Sequence, residues 1–256
     1  MSDAEAMDDE FDTVARWTAE AVTELGDAYA VPAACQGSGS PAALEWLGAA
    51  MGLTAGRTLL DVGAGLGGPA VLVARELGVR TVSAEPSVGA CRASRTLFAA
   101  AVVSADGASL PFADGSVDAA WSLGVLCTLD DKSPSVAELA RVVAPGGRVG
   151  LLVFVRTVDE LPVQPEGNSF PTGAEVTELL TRHGLTLTDH ATLDDFAAPP
   201  PDWQAAEDRV QDVVEREHRG DERWQRAQEQ QEVMGRLIGD ELVVGHLYVC
   251  RVDDPS

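Results

Sequence analysis

The chain has 256 residues, 41 of them acidic and 18 basic, for a formal charge of −23. That field repels phosphate polyanions and anionic lipid, so nucleic acid and membrane surfaces are not its expected partners. Its 45% hydrophobic content suits a globular core, and no run approaches the length of a membrane span.

In chain order, residues 1–9 read as frayed. From Glu10 to Leu25, Phe11, Val14, Trp17, Ala21, Val22 and Leu25 recur at helical spacing. This helix should pack on a sheet or cross its ligand mouth. Residues 31–41 hold a Gly-Ser-Gly-Ser-Pro turn, and a helix follows over Pro41–Met51. A strand over Thr58–Val62 leads through glycines 63, 65, 67 and 68 into a helix over Pro69–Leu77. A second strand, Arg80–Ala84, precedes a helix from Ser87, and a short third strand lies in Ala99–Ser104. Strand Val117–Ser122, helix Ser133–Val143 and strand Arg148–Phe154 continue the alternation. It predicts a parallel sheet wound on both faces, with ligands beyond the carboxyl ends of the strands. Helix Thr172–His183 and strand Leu185–His190 come next. After Pro199-Pro200-Pro201, Trp203, Ala206, Val210, Val213 and Val214 mark one amphipathic helix. Trp224, Ala227, Gln231, Met234, Leu237 and Ile238 mark a second. The last strand, Glu241–Val252, is expected to be antiparallel and to close the sheet edge.

Cysteines 35, 91, 127 and 250 are scattered without a C-x-x-C pair, which leaves buried, reduced thiols as the expectation. The N-terminal residues are acidic and lack an apolar signal core, so the expected address is cytoplasmic. Basic residues are nearly all arginine, Lys132 being the only lysine.

The stretch Leu59-Leu-Asp-Val-Gly-Ala-Gly-Leu-Gly-Gly-Pro-Ala70 carries the most chemistry. Glycine allows positive φ and lets a ligand lie against the main chain, and the following helix start offers N–H groups and positive potential. A nucleoside-bearing cofactor is the natural occupant. Gly63, Gly65 and Gly68, with Glu85 downstream, also match a dinucleotide fingerprint. Asp61, two residues before the first glycine, argues against it, because a pyrophosphate would meet a carboxylate there. A cofactor with a protonated amino group would welcome it.

These residues resemble the class I S-adenosylmethionine (SAM) dependent methyltransferases, and the likeness extends beyond the loop. Asp61-Val-Gly-Ala-Gly-Leu-Gly looks like their first motif, and Thr81-Val-Ser-Ala-Glu85-Pro86 like the second strand with its ribose-holding acid. Ala105-Asp106-Gly107-Ala-Ser-Leu-Pro-Phe resembles their adenine-side loop, and Ala144-Pro-Gly-Gly-Arg the turn into strand five. The blocks stand in order over roughly residues 41–192. The resemblance implies an α/β, Rossmann-like seven-stranded sheet. The core then covers 41–198, after an N-terminal helical segment over 1–40. A helical lid, or alternatively a packing or dimerisation hairpin, is inserted over 199–239, and the final strand and tail take 240–256.

It implies SAM as cofactor and S-adenosylhomocysteine as product. Asp61 and the backbone of Gly63, Ala64, Gly65 and Gly67 are expected to take the amino-acid end. Glu85 and Pro86 would meet the ribose, Asp106 and Gly107 the adenine, with Leu66, Leu110 and Phe112 as apolar walls. Ser122 opens the segment to Thr128 that should face the methyl group. That segment lacks the Asn/Asp-Pro-Pro-aromatic sequence of many amino-methyltransferases, which further disfavours nucleic-acid substrates. Cys127 stands where relatives often carry His, so no catalytic residue is assigned; His190, His218 and Tyr29 are the bases to test, with His183 and His246 behind them. Asp130 and Asp131 read as a helix start, and no metal site is expected. The expected reaction moves a methyl group to an O, N or C nucleophile of a neutral or cationic small molecule, in a monomer or homodimer. A non-methylating SAM enzyme and a non-catalytic SAM- or partner-binding protein are the alternatives.

Overall fold

The structure, a computed structural model, describes residues 3–254, with side chains from Asp9 onward. Helix α1 runs over Asp3–Leu25, so residues 3–9 are helical rather than frayed; residues 1–2 lie outside the described residues. The stretch before Glu10 holds no glycine or proline to stop a helix. Helix α2 (Ala30–Ala34), ahead of the Gly-Ser-Gly-Ser-Pro segment, is short and wholly buried. Helix α3 (Pro41–Ala50) starts on Pro41 behind the Ser40 cap, whose hydroxyl accepts from Ala43 N.

The alternating segment follows as β1 (Thr58–Val62), α4 (Gly68–Leu77), β2 (Arg80–Glu85), α5 (Val88–Phe98), β3 (Val102–Ser104), β4 (Val117–Leu123) and α6 (Ser133–Val142). Then come β5 (Val143–Arg156), α7 (Gly173–Arg182), β6 (Leu185–Thr192), α8 (Pro201–His218), α9 (Glu222–Gly239) and β7 (Val243–Val252). Strand β5 starts five residues before the expected Arg148. Val143 pairs with Val117, and the register shifts before Arg148 pairs with Ala119, so the Pro-Gly-Gly turn becomes an irregularity within the strand.

The seven strands lie in the order β3-β2-β1-β4-β5-β7-β6. Six share one direction, and β7 alone is reversed, antiparallel to both β5 and β6. The last strand therefore sits inside the sheet, and β6 takes the edge that β7 was expected to close. Composition explains the exchange. Leu-Thr-Leu-Thr-Asp-His-Ala-Thr is mostly exposed along β6, whereas Val-Val-Gly-His-Leu-Tyr-Val-Cys-Arg-Val is mostly buried along β7. An edge tolerates polar alternation; an interior strand needs apolar side chains on both faces.

Neighbouring strand residues serve opposite faces. Leu60, Ala120, Val149 and Leu151 pack with Leu139 and Leu180 under α6 and α7. Leu59, Ala119, Trp121 and Leu152 pack with Leu44, Leu47 and Val73 under α3 and α4. Each fully buried leucine or valine among them contributes roughly 1.5–3 kcal/mol. Outside the sheet, Val210, Val213 and Val214 of α8 join Trp17, Ala21 and Val22 of α1. Leu237 of α9 and Val243 pack with Cys127 and Phe170. No helix among the described residues is long and apolar enough to cross a membrane.

Candidate cofactor site

The carboxyl end of β1 gathers the expected residues. Gly63, Gly65 and Gly67 take φ of +72°, +54° and +84°, conformations that L side chains rarely adopt. Gly63 N and Ala64 N both donate to Ala84 O at 2.8 and 3.3 Å, tying the turn to the end of β2. A Cβ on Gly63 would overlap the Val125 side chain, whereas one on Gly65 would meet only the Phe11 ring tip at 3.6 Å. Gly65 thus fronts the open mouth of the site.

Glu85 is buried at the end of β2 and accepts from Gly65 N at 2.8 Å and Ser87 N at 2.9 Å. Two backbone donors therefore fix its carboxylate beside the glycine turn. Pro86 is exposed at the rim. Gly107 stands against β1, a Cβ there lying 3.2 Å from Val62. Asp106 is exposed and accepts from Ala108 N at 2.8 Å in an Asx turn. Ser122 is buried; its hydroxyl donates to Val62 O at 2.9 Å and staples β4 to β1.

Asp61 is buried beneath the turn, and its Oδ2 has no hydrogen-bond partner among the described residues. The Trp121 indole Nε1 is likewise unpartnered. Burial pushes the Asp61 carboxyl up to about 7; the Trp121 indole opposes the rise and the Glu85 carboxylate adds to it. The indole biases the carboxyl electrostatically, but the two groups do not meet hydrogen-bond geometry. A buried carboxylate of this kind is stabilised by a cation or ammonium.

Helix α1 was expected to pack on the sheet or cross its ligand mouth, but its anchor there had no signature in the sequence. Asp12 of α1 accepts from Ser87 Oγ at 2.9 Å and from Gly89 N, which pins the N-terminal helix to the start of α5. Phe11, about half exposed, thereby hangs over Gly65. Such partners lie over seventy positions apart, and neither residue belongs to a local motif.

The residues named as possible bases fall in separate neighbourhoods. His218 stacks on Trp17 with ring centroids 4.0 Å apart. His190, on the edge strand, shares a hydrogen bond of 2.9 Å with His246, whose imidazole burial holds below the usual range. Tyr29 packs beside the α1–α8 cluster. His183 pairs with Ser133 Oγ at 2.8 Å. Cys127 is buried, donates to Gly124 O at 3.1 Å and is pushed by burial up to about 11, so it stays a neutral thiol near pH 7. Cysteines 35, 91 and 250 are also buried and unpaired. Asp131 accepts from Ser133 N at 3.0 Å at the start of α6, and no group of three or more metal-binding side chains occurs among the described residues.

Residues 60–151 match the family described as Methyltransferase domain. The O-methyltransferase resE of Aspergillus sclerotiorum is 28% identical over 172 residues, which cover 60% of this chain and 64% of that protein. The chain spans less than two thirds of the length of the curated relatives it matches. The crystal structure of the [4+2]-cyclase SpnF superposes with a TM-score of 0.70 at 20% identity, over 92% of this chain and 93% of the other. The geranyl diphosphate C-methyltransferase of Streptomyces coelicolor A3(2), solved with Mg2+, a substrate analogue and S-adenosylhomocysteine, gives 0.60 at 17% identity, over 82% and 75%. Residues 60–151 thus match a methyltransferase domain, and the chain shares the fold of solved SAM-dependent methyltransferases.

Proposed function

We propose that this chain binds SAM and transfers its methyl group to an O, N or C nucleophile of a small molecule. The observation that carries the reading is the buried Asp61 carboxylate, its Oδ2 without a partner among the described residues, under a glycine turn beside Gly65 and Glu85. An ammonium at the amino-acid end of the cofactor offsets the buried charge of Asp61. Glu85, oriented by two backbone N–H groups, accepts from the ribose hydroxyls, and Asp106 with Gly107 borders the adenine. Ser122 acts indirectly, by holding β1 and β4 together. Bound SAM supplies an electrophilic methyl on a sulfonium; the protein's share is positioning and exclusion of water. The thiol of Cys127 supplies no base, so the nucleophile arrives reactive. The acidic surface selects against polyanionic acceptors. The relatives named O- and C-methyltransferases agree with this class of chemistry.

A second reading, a SAM-binding enzyme that closes a ring without methyl transfer, draws on the near full-length superposition with a [4+2]-cyclase. Calorimetry with SAM and S-adenosylhomocysteine tests the common part. Glu85→Ala is expected to weaken binding by about 1–3 kcal/mol through loss of charge-assisted hydrogen bonds. An unchanged affinity removes Glu85 from the site. S-adenosylhomocysteine released in step with acceptor loss, measured with methyl-labelled SAM, separates transfer from cyclisation.

A further inference from the structure

A cavity of about 350 Å3 lies between the segment that follows β4 and helix α7, outside the cofactor site. The segment is a partition. Val125 sits against Gly63 on one side, while Leu126 and Asp130–Ser133 line the cavity on the other. The chain's only lysine, Lys132, stands in this wall, half-buried, its Nζ donating to Leu129 O at 2.6 Å. The groups facing it are Cys127, Asp130 and Asp131 from its own segment and Glu175 from α7; burial outweighs them and holds the amine below the usual lysine range. Several of the surrounding acids already have partners. Glu175 closes the Thr172 cap of α7, Glu178 binds Arg182 at 2.8 Å, and Asp131 takes Ser133 N. The amine is therefore the nucleophile of the cavity. Leu126, Val153 and Leu179 give it an apolar wall, and Ser169 adds a hydroxyl-bearing side chain.

We propose that this cavity is a second small-molecule site, in which Lys132 captures a neutral aldehyde as an imine. The lone pair of Nζ adds to the carbonyl carbon, the C=O π bond opens onto oxygen, and a carbinolamine forms. Loss of that oxygen as water, with the two hydrogens that began on nitrogen, leaves C=N. Water carries the protons between the two steps. Four carboxylates line the cavity against two cations, which disfavours 2-oxo acids and other anionic carbonyls. The apolar wall suits a short alkyl chain.

The single lysine makes the test direct. The protein is treated with hexanal and cyanoborohydride near pH 7, and adducts are located by intact mass and peptide mapping. The α-amino group, with its lower ordinary pKa, is the faster amine where no cavity assists. The expected result is a saturable adduct at Lys132, forming about tenfold faster than at the α-amine through proximity and suppressed by hexan-1-ol. Lys132→Arg should abolish it. Leu179→Trp, which keeps the lysine and fills the cavity, should slow it about tenfold; if that variant does not fold, the hexanol competition decides alone. A rate linear in hexanal, a faster α-amine, or labelling indifferent to hexanol would overturn the proposal.

Discussion

Asp61 holds a charge at odds with its surroundings, and this sets a measurable pH dependence. Its folded carboxyl titrates at about 7, above the ordinary unfolded value near 4. The ionised form is thus disfavoured by folding: the cost is absent below the unfolded value, grows between the two and is complete above about 7. Asp61→Asn is expected to raise the stability of the ligand-free protein at pH 8 by about 1–3 kcal/mol in thermal unfolding, and to leave it unchanged near pH 3. The same variant should weaken SAM binding. Stabilisation at both pH values would show that packing, not ionisation, is responsible. Gly63 supplies a second test. Gly63→Ala brings a Cβ onto Val125 in a backbone with φ of +72°. The Gly63→Ala/Val125→Ala pair should recover the steric part of the lost stability but not the roughly 1–2 kcal/mol of left-handed strain. Full recovery in denaturant melts would mean that the turn shifts to a relaxed conformation. The meeting of Asp61, Gly63 and Glu85 at neighbouring strand ends was legible in the sequence, because it follows from local motifs. Asp12 was not, because only the packing of α1 on α5 brings it to the site, whereas the helix carrying Phe11 was expected to pack on the sheet or cross the mouth.

Among the elements, helix ends show where composition and structure agree and where they part. Ser40, Ser87 and Thr172 stand one residue before helices and cap them as their side chains allow. Helix α5 ends differently: Ala99 adopts φ of +51° at its C-terminus, a position that favours glycine. Ala99→Gly is therefore expected to stabilise the protein by about 0.5–1 kcal/mol in chemical denaturation, and a loss would show that the methyl group packs productively. Strand β5 was misjudged at its start because Pro145, Gly146 and Gly147 announce a turn, yet Val143 ahead of them still pairs with Val117. Buried α2 escaped notice for a related reason. Its five small residues are too few for a periodic pattern, and its closeness is visible only where Gly68 meets the Ala34 backbone.

Over the whole molecule, a net charge of −23 works against compaction. Added sodium chloride is expected to raise the unfolding temperature over about 0.02–0.3 M, as screening shortens the reach of the repulsion. A falling or flat melting temperature would indicate that the arginine–carboxylate pairs offset it, of which Arg141 with Glu138 and Asp114 is the most connected. Strand and helix alternation made the parallel half of the sheet readable in advance. The place of β7 was not, since adjacency in an antiparallel tail depends on which strand can bear solvent. Its interior position also bears on how the chain reaches this state during synthesis. Strand β5 exposes an apolar edge, and β6 has no neighbour, until β7 emerges some fifty residues after β6. For that interval the nascent chain carries an open, sticky sheet margin, so slow translation late in the message favours aggregation, and chaperone capture or lower growth temperature should raise the soluble yield.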